Sequence, residues 1–178
     1  MKKFMIGAAA FCCMLFSSVA LTACGSDDND NDDSGKTDPY ALKEIVMEVK
    51  FKEPQDMLDV CDAKVTVNGE TETVTSADWT KSVKTTVLPA HFSISLKMSK
   101  KAGKDWEAGK MYEFAYPPVE YAIKLVRANG EISTIASTPS TSHGGFPGGQ
   151  EMDIALSKIS EYSIEYDVDK NGKATSKK

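Results

Sequence analysis

The chain has 178 residues, with 21 Lys and Arg against 26 Asp and Glu, a formal net charge of −5 and 41% hydrophobic content. A mildly acidic balance with a single arginine, Arg127, lacks the basic field and the guanidinium forks on which nucleic-acid recognition draws, so that partner class is not expected. In chain order, the first element is an uncharged stretch over residues 4–23, preceded by Lys2 and Lys3 and closing on Leu21-Thr22-Ala23-Cys24. Roughly 20 such residues are long enough to cross a bilayer as a helix. The small residues ahead of the cysteine instead read as the processing site of a secretory signal.

Those four residues resemble the lipobox of bacterial lipoproteins. The resemblance covers residues 1–24 and implies cleavage before Cys24, with acylation of its sulfur and of the new amino group. Two or three acyl chains, at about 0.8 kcal/mol per buried CH₂, hold a protein on a membrane durably where one would not. Residues 27–33 follow as a run of aspartates and asparagines with nothing apolar to bury, and so read as a disordered tether. An acidic stretch behind the lipidated cysteine is also similar to the export signal of Bacteroidetes-type surface lipoproteins. That implies display on the outer face of the outer membrane, with a solvated spacer on a periplasm-facing lipoprotein as the alternative. The expected organisation is therefore a signal peptide over 1–23, a lipidated cysteine and tether over 24–38, and one domain over 39–178.

Loss of Lys2 and Lys3 with the signal moves the charge to about −7, most of it in the tether, and leaves the domain near −2. Of four cysteines, Cys12 and Cys13 fall in the signal and Cys24 carries lipid. Cys61 is left without a partner and reads as a small buried hydrophobe at a strand start. The domain then depends on its hydrophobic core, which about 140 residues can supply in one piece.

From residue 39 onward, alternation with period two recurs. Ile45, Met47, Val49 and Phe51 predict a half-buried strand, as do Ala63, Val65 and Val67, and Phe92, Ile94, Leu96 and Met98. Val83, Thr85 and Val87, then Tyr112, Phe114 and Tyr116, Tyr121, Ile123 and Leu125, and Tyr162, Ile164 and Tyr166 repeat the pattern, and residues 132–136 and 152–156 are shorter candidates. Residues 53–59 predict one helical turn or a loop, and no longer helical stripe is expected. Asn68-Gly69, Asn129-Gly130 and Asn171-Gly172 lie between strands and suit type I′ hairpin turns. A two-residue loop at the first sets Val67 opposite Glu70 and Val65 opposite Glu72, which makes the return strand a polar edge. Many short strands with regular turns predict an all-β, antiparallel β-sandwich with Ig-like architecture, with a β-barrel as runner-up.

No catalytic or cofactor motif is present, so no enzyme activity, cofactor or metal is expected. Residues 167–172 match the start of a calcium loop, but the twelfth position is Lys178, which offers no carboxylate, so a hairpin turn is the better reading. Residues 137–150 hold Gly144-Gly145 and Gly148-Gly149 around Phe146-Pro147. They read as a surface loop, or as a ligand-contact loop carrying Phe146 and His143. Residues 99–110 set Trp106 among lysines, Lys104 included, and two readings stay open: a ligand anchor, or a lid folded onto the core. Strand parity predicts that this loop and the Phe146 loop sit at opposite ends of the sandwich. The expected function is a membrane-anchored surface binding module for glycan or protein, the alternative being a structural or assembly subunit of an envelope or pilus-like complex.

Overall fold

The structure, a computed structural model, describes residues 38–177. The signal segment, Cys24 and the acidic run lie outside those residues. Strands β1 (Leu42–Phe51), β2 (Cys61–Val67), β3 (Glu70–Val74), β4 (Thr80–Thr85) and β5 (Ala90–Lys100) fill the first half, with helix α1 (Gln55–Val60) after β1. The second half holds β6 (Met111–Tyr116), β7 (Val119–Arg127), β8 (Ile132–Ser137), β9 (Ser142–Pro147), helix α2 (Gln150–Ile159), β10 (Glu161–Val168) and β11 (Ala174–Lys177). They form a β-sandwich: one sheet in the order β4-β1-β7-β8, a second in the order β11-β10-β5-β2-β3, and a separate ribbon of β6 and β9. Among the described residues no sheet closes into the alternative barrel.

The alternating apolar positions explain why these strands stack. Ile45, Met47 and Val49 of β1 and Tyr121 and Ile123 of β7 join Ala63, Val65, Phe92, Ile94 and Leu96 from the opposite sheet in one buried cluster. Each fully buried aliphatic or phenyl group contributes about 1.5–3 kcal/mol relative to exposure. The two layers also meet through a hydrogen bond, Tyr121 hydroxyl to Tyr166 hydroxyl at 2.9 Å. Burial, reinforced by that neighbour, pushes the Tyr121 phenol above the ordinary tyrosine range.

The β2–β3 hairpin has the expected register, Val67 opposite Glu70 and Val65 opposite Glu72, and Asn68 and Gly69 take φ of 49° and 85°. Because Glu70 and Glu72 share the inward face with those valines, they lean toward edge strand β4 of the other sheet. Lys81 meets Glu72 at 2.7 Å and Glu70 at 2.9 Å, and the Trp79 indole N–H donates to Glu72 at 3.1 Å. This cluster closes one open side of the sandwich with charge rather than with an apolar edge that would invite pairing. The other two Asn-Gly turns depart from the expected type. Arg127 N–H donates to Glu131 O, Asp169 N–H donates to Lys173 O, and only Gly130 and Gly172 have positive φ. Both are three-residue loops closed by the glycine, which needs one left-handed position instead of two.

Three further expectations are corrected. Residues 152–156 are not a strand: they belong to α2, where Met152, Ala155, Leu156 and Ile159 form its buried stripe at helical spacing. Met152, Ile154 and Leu156 alternate about Asp153 and Ala155 as in a strand, and the helical stripe emerges only when Ile159 is included. Part of the expected surface loop over 137–150 is strand β9, whose serine, glycines and proline conceal it from a propensity reading. Val87 lies beyond the end of β4 and is 65% exposed rather than inward-facing.

Candidate functional site

Tyr112, Phe114 and Tyr116 alternate along β6 and therefore share one face of the ribbon. In the β6–β9 register, Tyr112 lies opposite Phe146, Phe114 opposite Gly144 and Tyr116 opposite Ser142. Gly144 lets the Phe114 ring lie across the backbone of β9, since a Cβ there would stand 2.7 Å from Phe114 Cζ. From that position Phe114 stacks on Phe146, with ring centroids 5.7 Å apart and planes 8° from parallel.

Helix α2 follows β9 directly and packs beside it. Between the two lies a groove of about 420 Å³, walled on the ribbon side by Phe114, Tyr116, Ser142 and Phe146 and on the helix side by Ile154, Ala155, Lys158 and Ile159. Tyr116, Ile154 and Phe146 are 57%, 51% and 39% exposed. The surface is contiguous and apolar, rimmed by the Lys158 ammonium and the Tyr116 and Ser142 hydroxyls, and is the candidate contact site of the described residues. Its volume falls within the ordinary range for ligand clefts.

Of the four residues singled out in the sequence for ligand contact, Phe146 alone lines this groove. His143, opposite Ala115, is on the other face of the ribbon, because odd and even positions alternate. Lys104 is exposed in a turn closed by its own N–H to Lys101 O at 3.1 Å, and does not line the groove. Trp106 is the lid. It is 5% exposed, meets Tyr112 edge-on at 4.9 Å and donates its indole N–H to Asp153 Oδ1 at 2.8 Å. Lys100 binds Asp105 at 2.9 Å and Asp153 at 3.1 Å. The Trp106 N–H and the Lys100 ammonium hold the Asp153 carboxyl below the usual range. Lys100, at the end of β5, thus organises the lid.

The Trp106 loop and the β9–α2 junction meet, contrary to the parity expectation. Gly148 N–H donates to Lys110 O at 2.8 Å, and Ala108 bridges to Gly148. The parity count treats β6, β7 and β8 as successive strands of one sheet, but β6 belongs to the ribbon and the Pro117-Pro118 step carries the chain from ribbon to sheet. The junction is close-packed. A Cβ on Gly148 would fall 2.2 Å from Glu107 O, and Gly149 has φ of 128°, a value open essentially to glycine. Gly148→Ala is expected to destabilise the fold by about 1–3 kcal/mol through forced backbone movement. A urea midpoint unchanged from wild type would contradict this packing.

Below the ribbon lies a group that the sequence did not announce. Glu53, between β1 and α1, is 1% exposed, and among the described residues its carboxyl oxygens accept only the Ala115 N–H, at 3.2 and 3.3 Å. Burial pushes its pKa up to about 8, and the single backbone hydrogen bond offsets little of that. Nothing in the local pattern distinguishes Glu53 from the exposed glutamates, since its burial comes from β6 crossing over it. Burial likewise pushes the Cys61 thiol up to about 11, which keeps it protonated and unreactive near neutrality.

The calcium-like motif is consumed by its own turn. Asp169 Oδ1 accepts the N–H groups of Asn171 and Lys173 at 2.8 and 2.9 Å, while Asp167 contacts His91 at 2.8 Å and Lys177. Among the described residues no group of three or more His, Cys, Asp or Glu side chains is placed to hold a metal ion. No helix among them is long and apolar enough to cross a membrane. No family model matches the chain, and neither does any curated protein or solved structure.

Proposed function

We propose that this protein is a lipid-anchored cell-surface binding module that uses the groove between the β6–β9 ribbon and α2 to hold a protein ligand. The exposed aromatic groove is the observation that carries this reading. Its polar groups are few, the Ser142 and Tyr116 hydroxyls and the Lys158 ammonium, so it lacks the array of donors and acceptors that a glycan's hydroxyls require. An apolar side chain, by contrast, gains from every wall. The groove also lacks an acid–base pair or an activated nucleophile, which favours binding over chemistry.

In this reading Cys24 and its acyl chains hold the protein on the outer membrane, and the acidic tether sets the domain away from the headgroups. The sandwich fixes the groove rigidly on strand and helix. The test is a glycan and protein array probed with the full chain in lipid nanodiscs. Signal is expected on protein features and should fall at least about fivefold with Phe146→Ala, which removes a partly exposed ring at the contact. Cys24→Ser should release the protein from the membrane fraction. Binding to glycans alone, or binding indifferent to Phe146→Ala, would count against the proposal.

A further inference from the structure

Resting on that reading of the groove, we propose that the ligand is a protein segment presenting an aromatic or long aliphatic side chain with an acidic residue close beside it, the carboxylate being met by Lys158. The argument starts from charge. The groove lining includes no Asp or Glu, and its one charged group is Lys158. Seven of the sixteen described lysines, Lys81, Lys100 and Lys124 among them, stand within 4.0 Å of a carboxylate, and what sets Lys158 apart from the others without one is its place in an apolar groove. Lys158 forms no ion pair among the described residues, although it sits on a protein whose formal charge is negative.

Position supports the same conclusion. Lys158 follows Ile154 by four residues on α2, so the two side chains stand one helical turn apart on one face, and both line the groove. Opposite Ile154 are Phe114 and Phe146. A ligand side chain laid between the rings and Ile154 therefore brings its neighbouring backbone substituents within reach of the ammonium. The half-exposed rims of Tyr116 and Ile154 leave the groove open to solvent. An open channel admits a side chain projecting from a larger partner, whereas a free acyl chain would keep much of its length in water.

The experiment is selection from a random peptide library on the full chain in lipid nanodiscs. Enrichment is expected for Phe, Trp, Leu or Met with Asp or Glu within two positions, and a selected peptide should bind Lys158→Gln about fivefold more weakly, as fits a solvent-exposed pair. Lys158→Glu, at an exposed position in the last turn of α2, should lower the unfolding midpoint by no more than a few degrees and turn the selected charge from acidic to basic. Apolar peptides with no charge bias, unaffected by Lys158→Glu, would overturn the carboxylate proposal and leave the groove reading intact. Selection indifferent to Phe146→Ala would overturn both. Dodecanoate binding at the groove with no peptide enriched would assign it to an acyl carboxylate instead and overturn the protein ligand.

Discussion

Trp106→Ala is expected to lower the unfolding free energy by about 3–5 kcal/mol, the usual cost of deleting a buried aromatic ring and leaving a cavity. Three losses combine at this site. The indole is 5% exposed, its ring is the edge-on partner of Tyr112, and its N–H is the direct link from the 101–110 connection to Asp153 of α2. Tyr112 in turn accepts the Glu107 N–H at 3.1 Å, so the loop backbone loosens with the ring. Trp106→Phe separates the contributions: it keeps most of the packing and removes the hydrogen bond, for a cost of about 1–2 kcal/mol. Urea titration followed by far-UV circular dichroism reads both. A Trp106→Ala protein within about 1 kcal/mol of wild type would remove the lid assignment.

The second large effect is a dependence of stability on pH that runs opposite to the familiar behaviour of carboxylates. Glu53 is protonated in the folded protein up to about pH 8, whereas in the unfolded chain it ionises in the ordinary glutamate range. Its contribution is therefore fully present below the unfolded value and is lost as pH rises toward and through the folded one. Between about pH 5 and pH 9 the loss should amount to a few kcal/mol, since one pKa unit corresponds to about 1.4 kcal/mol. Ionisation would place a charge beneath the ribbon with only the Ala115 N–H to meet it. Glu53→Gln keeps an oxygen acceptor for that N–H and cannot ionise, so its stability should be nearly flat over the same range.

The acidic limb has the usual sign. Hydrogen bonds from Lys81 to Glu72, from Lys100 to Asp105 and from Lys177 to Asp167 hold these exposed carboxyls below their ordinary range. Their contribution is present above that range and fades as pH falls through it. Stability should therefore peak in mildly acidic solution. Equilibrium unfolding of wild type and Glu53→Gln across the range checks this, and equal slopes in the two proteins would show that another group carries the alkaline loss.

The sandwich was legible because its strands obey a local rule. Phe92 to Met98 alternates cleanly with one buried face, Ile45 to Phe51 does so apart from the buried Val46, and the Asn68-Gly69 turn sets a register that the backbone alone can specify. The groove was only partly legible. Phe146 stands out among its glycines, and the aromatic alternation of β6 is plain, but it reads as core because nothing local reveals that this face looks onto a helix. Ile154 and Lys158 went unnoticed with α2 itself, whose ten residues contain an apolar alternation short enough to pass for a strand.

Sequence by itself determined the β class and the pairing of β2 with β3. Both depend on neighbouring residues, through a side-chain period or a turn. Tertiary structure alone decided the rest. It placed β6 and β9 in a ribbon outside both sheets, turned Trp106 inward, buried Glu53 beneath Ala115, and left Phe114, Phe146, Ile154 and Lys158 around one groove. These features join residues tens of positions apart, and no local pattern can say which face of an amphipathic strand will be covered and which will remain open.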